Sequence, residues 1–159
     1  MKKFLLFAFA FPARLRALLM LAGGLLFTFA FAQDSCIPAK PSPARFVNNF
    51  SKEFPDFISA GEAQALENKL EQFNKATSNQ IVIVIVDDLC GYDANEFSTR
   101  IGQAWGVGQG KFDNGVVIMI KPTGGSGQRA AYIAVGYGLE GVIPDATANR
   151  ILDLSLIHI

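Results

Sequence analysis

Residues 81–86, Ile81-Val82-Ile83-Val84-Ile85-Val86, form an unbroken β-branched run that predicts a strand buried on both faces. Upstream, Ala63, Leu66, Leu70 and Phe73 recur at three- and four-residue intervals, and Ser59-Ala60-Gly61-Glu62 has capping-box spacing. That pattern predicts an amphipathic helix reaching Ala76, with Glu67, Lys69, Glu71 and Lys75 on a solvated face. After the strand, Asp93 and Glu96 open a second helix with Phe97, Ile101, Ala104 and Trp105 as its apolar stripe. Two more apolar runs, residues 115–120 and 129–135, flank a turn at 122–127 and predict an antiparallel hairpin. Pro144 and Asp145 start a last helix with Ala146, Ala148, Ile151 and Leu152 on its apolar side. One strand-helix-strand crossover makes the first two strands parallel, and the hairpin reverses the third. The expected fold class is α/β: a single α/β/α layered domain with a small mixed sheet, parallel crossover plus antiparallel hairpin. Residues 46–152 suffice for one core and not for two.

Composition changes the picture at the ends. Residues 1–32 carry Lys2, Lys3, Arg14 and Arg16, an apolar run at 17–29, and then Ala30-Phe31-Ala32, the layout of an export signal. The run is shorter than the roughly 18 to 20 residues that span a bilayer, so cleavage before Gln33 is expected and the protein is read as exported, periplasmic or extracytoplasmic. Gln33-Asp34-Ser35 ahead of Cys36 is not a lipidation box. Four of the 14 basic residues and none of the 14 acidic ones fall in the leader, leaving ten against 14, a net charge of −4. A chain of that sign has no basic stripe for nucleic acid, and cations are its expected small partners.

Residues 33–45 hold Pro38, Pro41 and Pro43 and are read as an extended linker, with the domain at 46–153. Leu154-Ser155-Leu156-Ile157-His158-Ile159 matches the in-frame translation of a sequencing-transposon end, CTGTCTCTTATACACATC. These residues are expected to be foreign, the natural chain continuing past Asp153, and the single histidine, His158, receives no role. Cys36 and Cys90 leave two alternatives: a disulfide, worth about 4 kcal/mol by loop entropy, or a small apolar residue at Cys90 closing a strand.

The chemistry-bearing residues converge by topology. Lys111-Phe112-Asp113-Asn114-Gly115 opens the second predicted strand, and Gly136-Tyr137-Gly138-Leu139-Glu140-Gly141 follows the third. Antiparallel pairing puts both loops at one sheet edge, with Asn79 and Gln80 and the helix start at Asp145. Asp113, Asn114, Glu140 and Asp145 are therefore candidate ligands for Ca2+ or Mg2+, hard cations that take oxygen donors. The alternative assigns Asp113 and Asn114 to turn capping, Glu140 to solvent and Asp145 to a helix start. Asp87 and Asp88, at the opposite edge, form a second acidic candidate. Residues 106–110 precede Lys111 without a following Ser or Thr and before a strand, so they are not a phosphate-binding P-loop.

Three motifs in order carry a resemblance: Gln80-Ile81-Val82-Ile83-Val84; Trp105-Gly106-Val107-Gly108 before Asp113-Asn114-Gly115-Val116; and Val135-Gly136-Tyr137-Gly138-Leu139-Glu140-Gly141 before Pro144-Asp145. The chain resembles the TPM domain family over residues 46–152. The resemblance implies an exported or lumenal α/β/α domain, often tethered by a later membrane helix, with acidic residues able to bind calcium or magnesium. It also implies one of two activities, since some members are described as acid phosphatases and others assist larger complexes, including photosystem maintenance and receptor function. The segment at 46–59 is longer than usual for the family, and the remainder of the final helix and any tether are missing from this sequence.

Two functional readings follow. In one, an exported module binds a divalent cation and assists a membrane-protein or envelope complex, with Gly136, Tyr137, Gly138 and Gly141 forming the partner loop and Tyr137 its anchor. In the other, the cation serves a phosphatase acting on phosphate monoesters, with Arg150 facing the phosphate. No Cys-x5-Arg loop, usable histidine or Asp-x-Asp motif supports the second independently.

Overall fold

The β-branched run becomes β2 (Gln80–Ile85), an interior strand of a four-stranded sheet in the order β1-β2-β3-β4. The computed structural model describes residues 36–125 and 127–157; the expected leader and His158 lie outside them. β2 pairs in parallel with β3 (Gly115–Lys121), and β3 pairs antiparallel with β4 (Ala130–Val135). Alternation along these strands sorts the side chains onto two faces. Val82, Val84, Val117 and Met119 lie beneath one helix with its Phe97, Ile101 and Trp105. Ile83 meets Leu70 of a second helix on the opposite face, where Val116 and Ile133 also meet Ala148 of a third. The architecture is thus the expected α/β/α sandwich around a mixed sheet.

β1 (Val47–Asn49) adds a short parallel edge strand that hydrophobic patterning misses, because only Val47 of its three residues is apolar. A helix supplies what the pattern lacks. The Glu67 carboxylate, on α1 (Ala60–Thr77), accepts hydrogen bonds from the backbone N–H of Phe46 at 2.9 Å and of Val47 at 2.8 Å. Glu67 therefore does not belong to the solvated face of α1 on which the apolar spacing placed it; half-buried, it closes the sheet edge. The Ser59 capping box of α1 and the Asp93 cap of α2 (Ala94–Trp105) form as the sequence predicts, and Gly106 ends α2 in the left-handed conformation.

The sheet grows in one direction from β1 to β2 to β3, all parallel, yet α1 and α2 lie on opposite faces. The two crossovers must therefore have opposite hand, so one departs from the right-handed preference. That preference arises from strand twist, which a three-residue edge strand imposes only weakly.

Residues 36–45 are a strap packed on the domain, not a spacer ahead of it. Cys36 is disulfide-bonded to Cys90. The Trp105 indole N–H donates to the Pro38 carbonyl at 2.7 Å, Lys40 donates to the Trp105 carbonyl at 2.5 Å, and the Phe50 ring meets Trp105 edge-on at 5.9 Å. The prolines do exclude helix and sheet, but their carbonyls remain acceptors, and a buried indole needs one. The compact unit accordingly begins at Cys36.

Candidate functional site

β2 and β3 begin, and β4 ends, at the same sheet edge, with Gln80 opposite Gly115 and Val116 opposite Val135. The two glycine-marked loops meet there through their backbones. Gly138 N–H donates to the Asp113 carbonyl at 3.1 Å, and Gly136 N–H donates to the Gly115 carbonyl at 2.8 Å. Glycine is what permits the approach: a Cβ on Gly136 would run into the Asp113 carbonyl, and one on Gly138 into that of Phe112. Behind them a Cβ on Gly108 would lie 2.5 Å from the Gly115 nitrogen. Asp113 itself turns the chain with a φ of 44°, a left-handed conformation that aspartate tolerates.

Two amides bolt this edge to the strands. Buried Asn114 accepts the Gln109 N–H through Oδ1 at 2.8 Å and donates through Nδ2 to the Ser78 carbonyl at 2.8 Å and to Asn79 Oδ1 at 3.1 Å. Gln80 Oε1 accepts the Gly108 N–H at 2.7 Å. Asn114 thus acts as a bracket between the end of α1 and the loop ahead of β3.

A groove of about 410 Å³ opens on this edge between α2 and the end of β4, lined by Ser98, Gly102 and Gln103 on one side and by Asp113, Ala134 and Tyr137 on the other. The Asp113 carboxylate has no hydrogen bond or ion pair among the described residues. Large side chains stand exposed on the two loops and just after the second: Tyr137, which lines the groove, is 81% accessible, Val142 77% and Phe112 58%. Sequence reading singled out Tyr137 but not Phe112. The signal was there, an aromatic immediately before a turn-forming Asp-Asn-Gly, where a loop has no core to bury it in.

The carboxylates are another matter. Glu140 and Asp145 are exposed, as are Gly141 and Arg150, and Asp145 occupies the first turn of α3 (Asp145–Ile157). Among the described residues no group of three or more His, Cys, Asp or Glu side chains is placed to hold a metal ion. What brings the loops together is backbone carbonyls and amides, while Asn114 spends its side chain tying the loop ahead of β3 to the end of α1. The donors suit a hard cation chemically, while the side chains as they stand do not form the six- to eight-oxygen cage of a calcium site.

At the opposite edge, Asp87 and Asp88 accept hydrogen bonds from neighbouring protein groups. Asp87 accepts the Ser51 hydroxyl at 2.5 Å and the Lys52 N–H at 2.6 Å, while its own carbonyl accepts the Thr123 hydroxyl at 2.5 Å. The Ser51 hydroxyl first, then the Lys52 amide, hold its carboxyl below the usual aspartate value, against a smaller opposing effect of burial. Asp88 accepts the Cys90 N–H at 3.1 Å. The carboxyl ends of the parallel strands, where α/β sheets commonly bind ligands, are here tied to β1, to the β3–β4 turn and to the disulfide.

Comparison with known proteins agrees with this fold. Among solved structures the chain is similar to the N-terminal domain of a Porphyromonas gingivalis protein determined by solution NMR, at 24% identity and a TM-score of 0.57 over 69% of this chain. That match spans 64% of the P. gingivalis chain. It is also similar to the N-terminal domain of a Corynebacterium glutamicum protein, at 18% identity and a TM-score of 0.52, covering 80% of this chain and 70% of the other. Both likenesses concern the fold. No curated protein matches the chain. A family model described as the TPM domain matches residues 52–158, taking in every element from α1 to α3 and both glycine loops, and the chain belongs to that family.

Proposed function

We propose that the glycine-framed edge is the working surface of an exported accessory module that docks onto a membrane or envelope complex. The observation that carries this reading is the exposure of Tyr137 and Phe112 on two loops whose backbones are locked together by the Gly136 and Gly138 contacts. Rings held ready in this way lose little conformational entropy when a partner covers them, which is the usual condition of a binding hot spot. Ca2+ or Mg2+ enters the reading as a loop ligand: Asp113 lines the groove without a protein partner, Glu140 and Asp145 follow on the adjoining segment, and a cation would draw them together.

The test uses the natural protein and its Tyr137→Ala and Phe112→Ala variants. Native-gel migration of the solubilised envelope is expected to show the wild type in a large assembly and the variants released at their own mass, with unchanged melting temperatures. Calcium and magnesium titrations of the wild type and Asp113→Asn, read as a shift in melting temperature, decide the cation. Turnover of a phosphate monoester that needs the metal and disappears in Asp113→Asn would replace the docking reading with the phosphatase one.

A further inference from the structure

We infer that the disulfide between Cys36 and Cys90 is a redox latch: a dithiol that reduces it frees the strap at residues 36–45 and loosens the α2 wall of the groove. The inference concerns how the groove is held and does not depend on the docking reading.

The bond lies open to exchange. Cys90 is exposed on the loop between β2 and α2, whereas Cys36 is half-buried against the core under α2. An external thiolate therefore reaches the Cys90 sulfur, and accessible disulfides are the labile ones. Attack forms a mixed disulfide at Cys90, breaks the bond to Cys36 and releases Cys36 as a thiolate, which takes up a proton. The second thiolate of the reductant then displaces Cys90, which is protonated in turn. The reductant leaves as its own disulfide, having passed two electrons to the protein. Cys90 also holds a φ of 53°, a left-handed conformation that a β-carbon disfavours. Once its sulfur is free, the loop is no longer bound to keep it.

What the bond holds is the strap. Residues 36–45 form neither helix nor strand, so no sheet ladder fixes them. In the oxidised protein the strap is pinned at Cys36 and again at Phe46, whose carbonyl accepts the Ile83 N–H; reduction removes the first pin. Between the pins, two contacts converge on Trp105, the last residue of α2: Pro38 accepts the indole N–H and Lys40 donates to the main-chain carbonyl. α2 has no basic residue in its own last turn. Lys40 thus supplies from the strap the cation that the carbonyl end of a helix favours. Trp105 is 4% exposed, so an indole that loses Pro38 must move toward water or leave a buried donor unsatisfied.

The groove feels this because its wall continues from the same turn. Gln103 just before Trp105, and Gly106, Val107 and Gly108 just after it, line the groove. Gly106 and Gly108 have φ of 60° and 93°, glycine conformations with no side chain to hold them. The stretch is tied at one end by Gln80, which accepts the Gly108 N–H, and at the other by the strap's grip on Trp105. Reduction takes away the second tie.

Hydrogen exchange followed by NMR, in the oxidised protein and after dithiothreitol without denaturant, tests the latch, with maleimide labelling to detect the free thiols. Reduction is expected to proceed in the folded protein and to be reversed by reoxidation. The Trp105 indole N–H and the amides of Val107 and Gly108 are expected to accelerate more than those of Val82 and Val84 in β2. Lys40→Met with the disulfide intact separates the latch from a general loss of stability, because it cuts one tie to Trp105 and leaves the covalent bond. In that variant the Val107 and Gly108 amides should exchange about tenfold faster, the equivalent of one hydrogen bond to a charged group. A bond reduced only in denaturant, a reduced protein whose amides all accelerate alike, or a Lys40→Met protein with wild-type exchange at Val107 and Gly108 would each overturn the inference.

Discussion

Gly136 and Asp113 meet with no room for a side chain between them, since a Cβ on the glycine would lie well inside contact distance of the aspartate's carbonyl oxygen. The φ of Gly136 is −70°, which any residue adopts, so the constraint is steric and not conformational. Gly136→Ala is therefore expected to destabilise the fold by about 1–3 kcal/mol, the usual cost of overpacking. Gly141→Ala, where a Cβ meets nothing within 4 Å, should stay within about 0.5 kcal/mol of wild type. Paired urea denaturation curves check both.

Removing the Glu67 carboxylate leaves the N–H groups of Phe46 and Val47 without their acceptor. Glu67→Ala should cost about 1.5–3 kcal/mol, the range for hydrogen bonds to a charged group. The loss is local in origin, so hydrogen exchange at Phe46 and Val47 is expected to accelerate well before the amides of β2 respond.

Asp87 makes stability depend on acid. Its folded-state pKa lies below the ordinary 3.8, chiefly through the Ser51 hydroxyl and the Lys52 amide. The carboxylate therefore contributes stability at every pH above that ordinary value, and the contribution is lost as pH falls through the depressed one. Asp87→Asn should be less stable than wild type at neutral pH. The difference should shrink as the pH is lowered below the ordinary 3.8, as denaturation midpoints measured from neutral to acid pH would show.

The bond between Cys36 and Cys90 closes a separation of 54 residues, for which loop entropy gives about 4 kcal/mol. Replacing both cysteines with serine is expected to lower stability by roughly that amount. It should also red-shift Trp105 emission as the strap lifts and Pro38 ceases to accept from the indole. An unshifted spectrum would mean that the strap holds its place without the covalent bond.

The elements that hydrophobic period could identify were those whose burial is their own doing. β2 announces itself because both of its faces are covered, and α1 and α2 because Leu70 and Phe97 recur on one stripe. β1 was invisible because its pairing depends on Glu67, twenty residues along the chain, whose carboxylate looks like any solvated acid. The strap was legible as extended chain but not as part of the core, since nothing in Pro38 signals that an indole will need its carbonyl. At the glycine edge, pairing rules brought the loops together correctly. They could not say that the meeting would be made by backbone groups, leaving the carboxylates of Glu140 and Asp145 at the surface.

The link between Cys36 and Cys90 also determines how the domain carries a load. A pull arriving from the chain ahead of Cys36 passes through the sulfur atoms to Cys90, just before α2, and bypasses everything between them. The strap, β1, α1 and β2 hang slack in that closed loop, so tension runs only through α2, β3, β4 and α3. In the reduced protein the same pull would first peel Pro38 and Lys40 from Trp105 and then unzip β1. The covalent clasp is what keeps the weakest strand of the sheet out of the line of force.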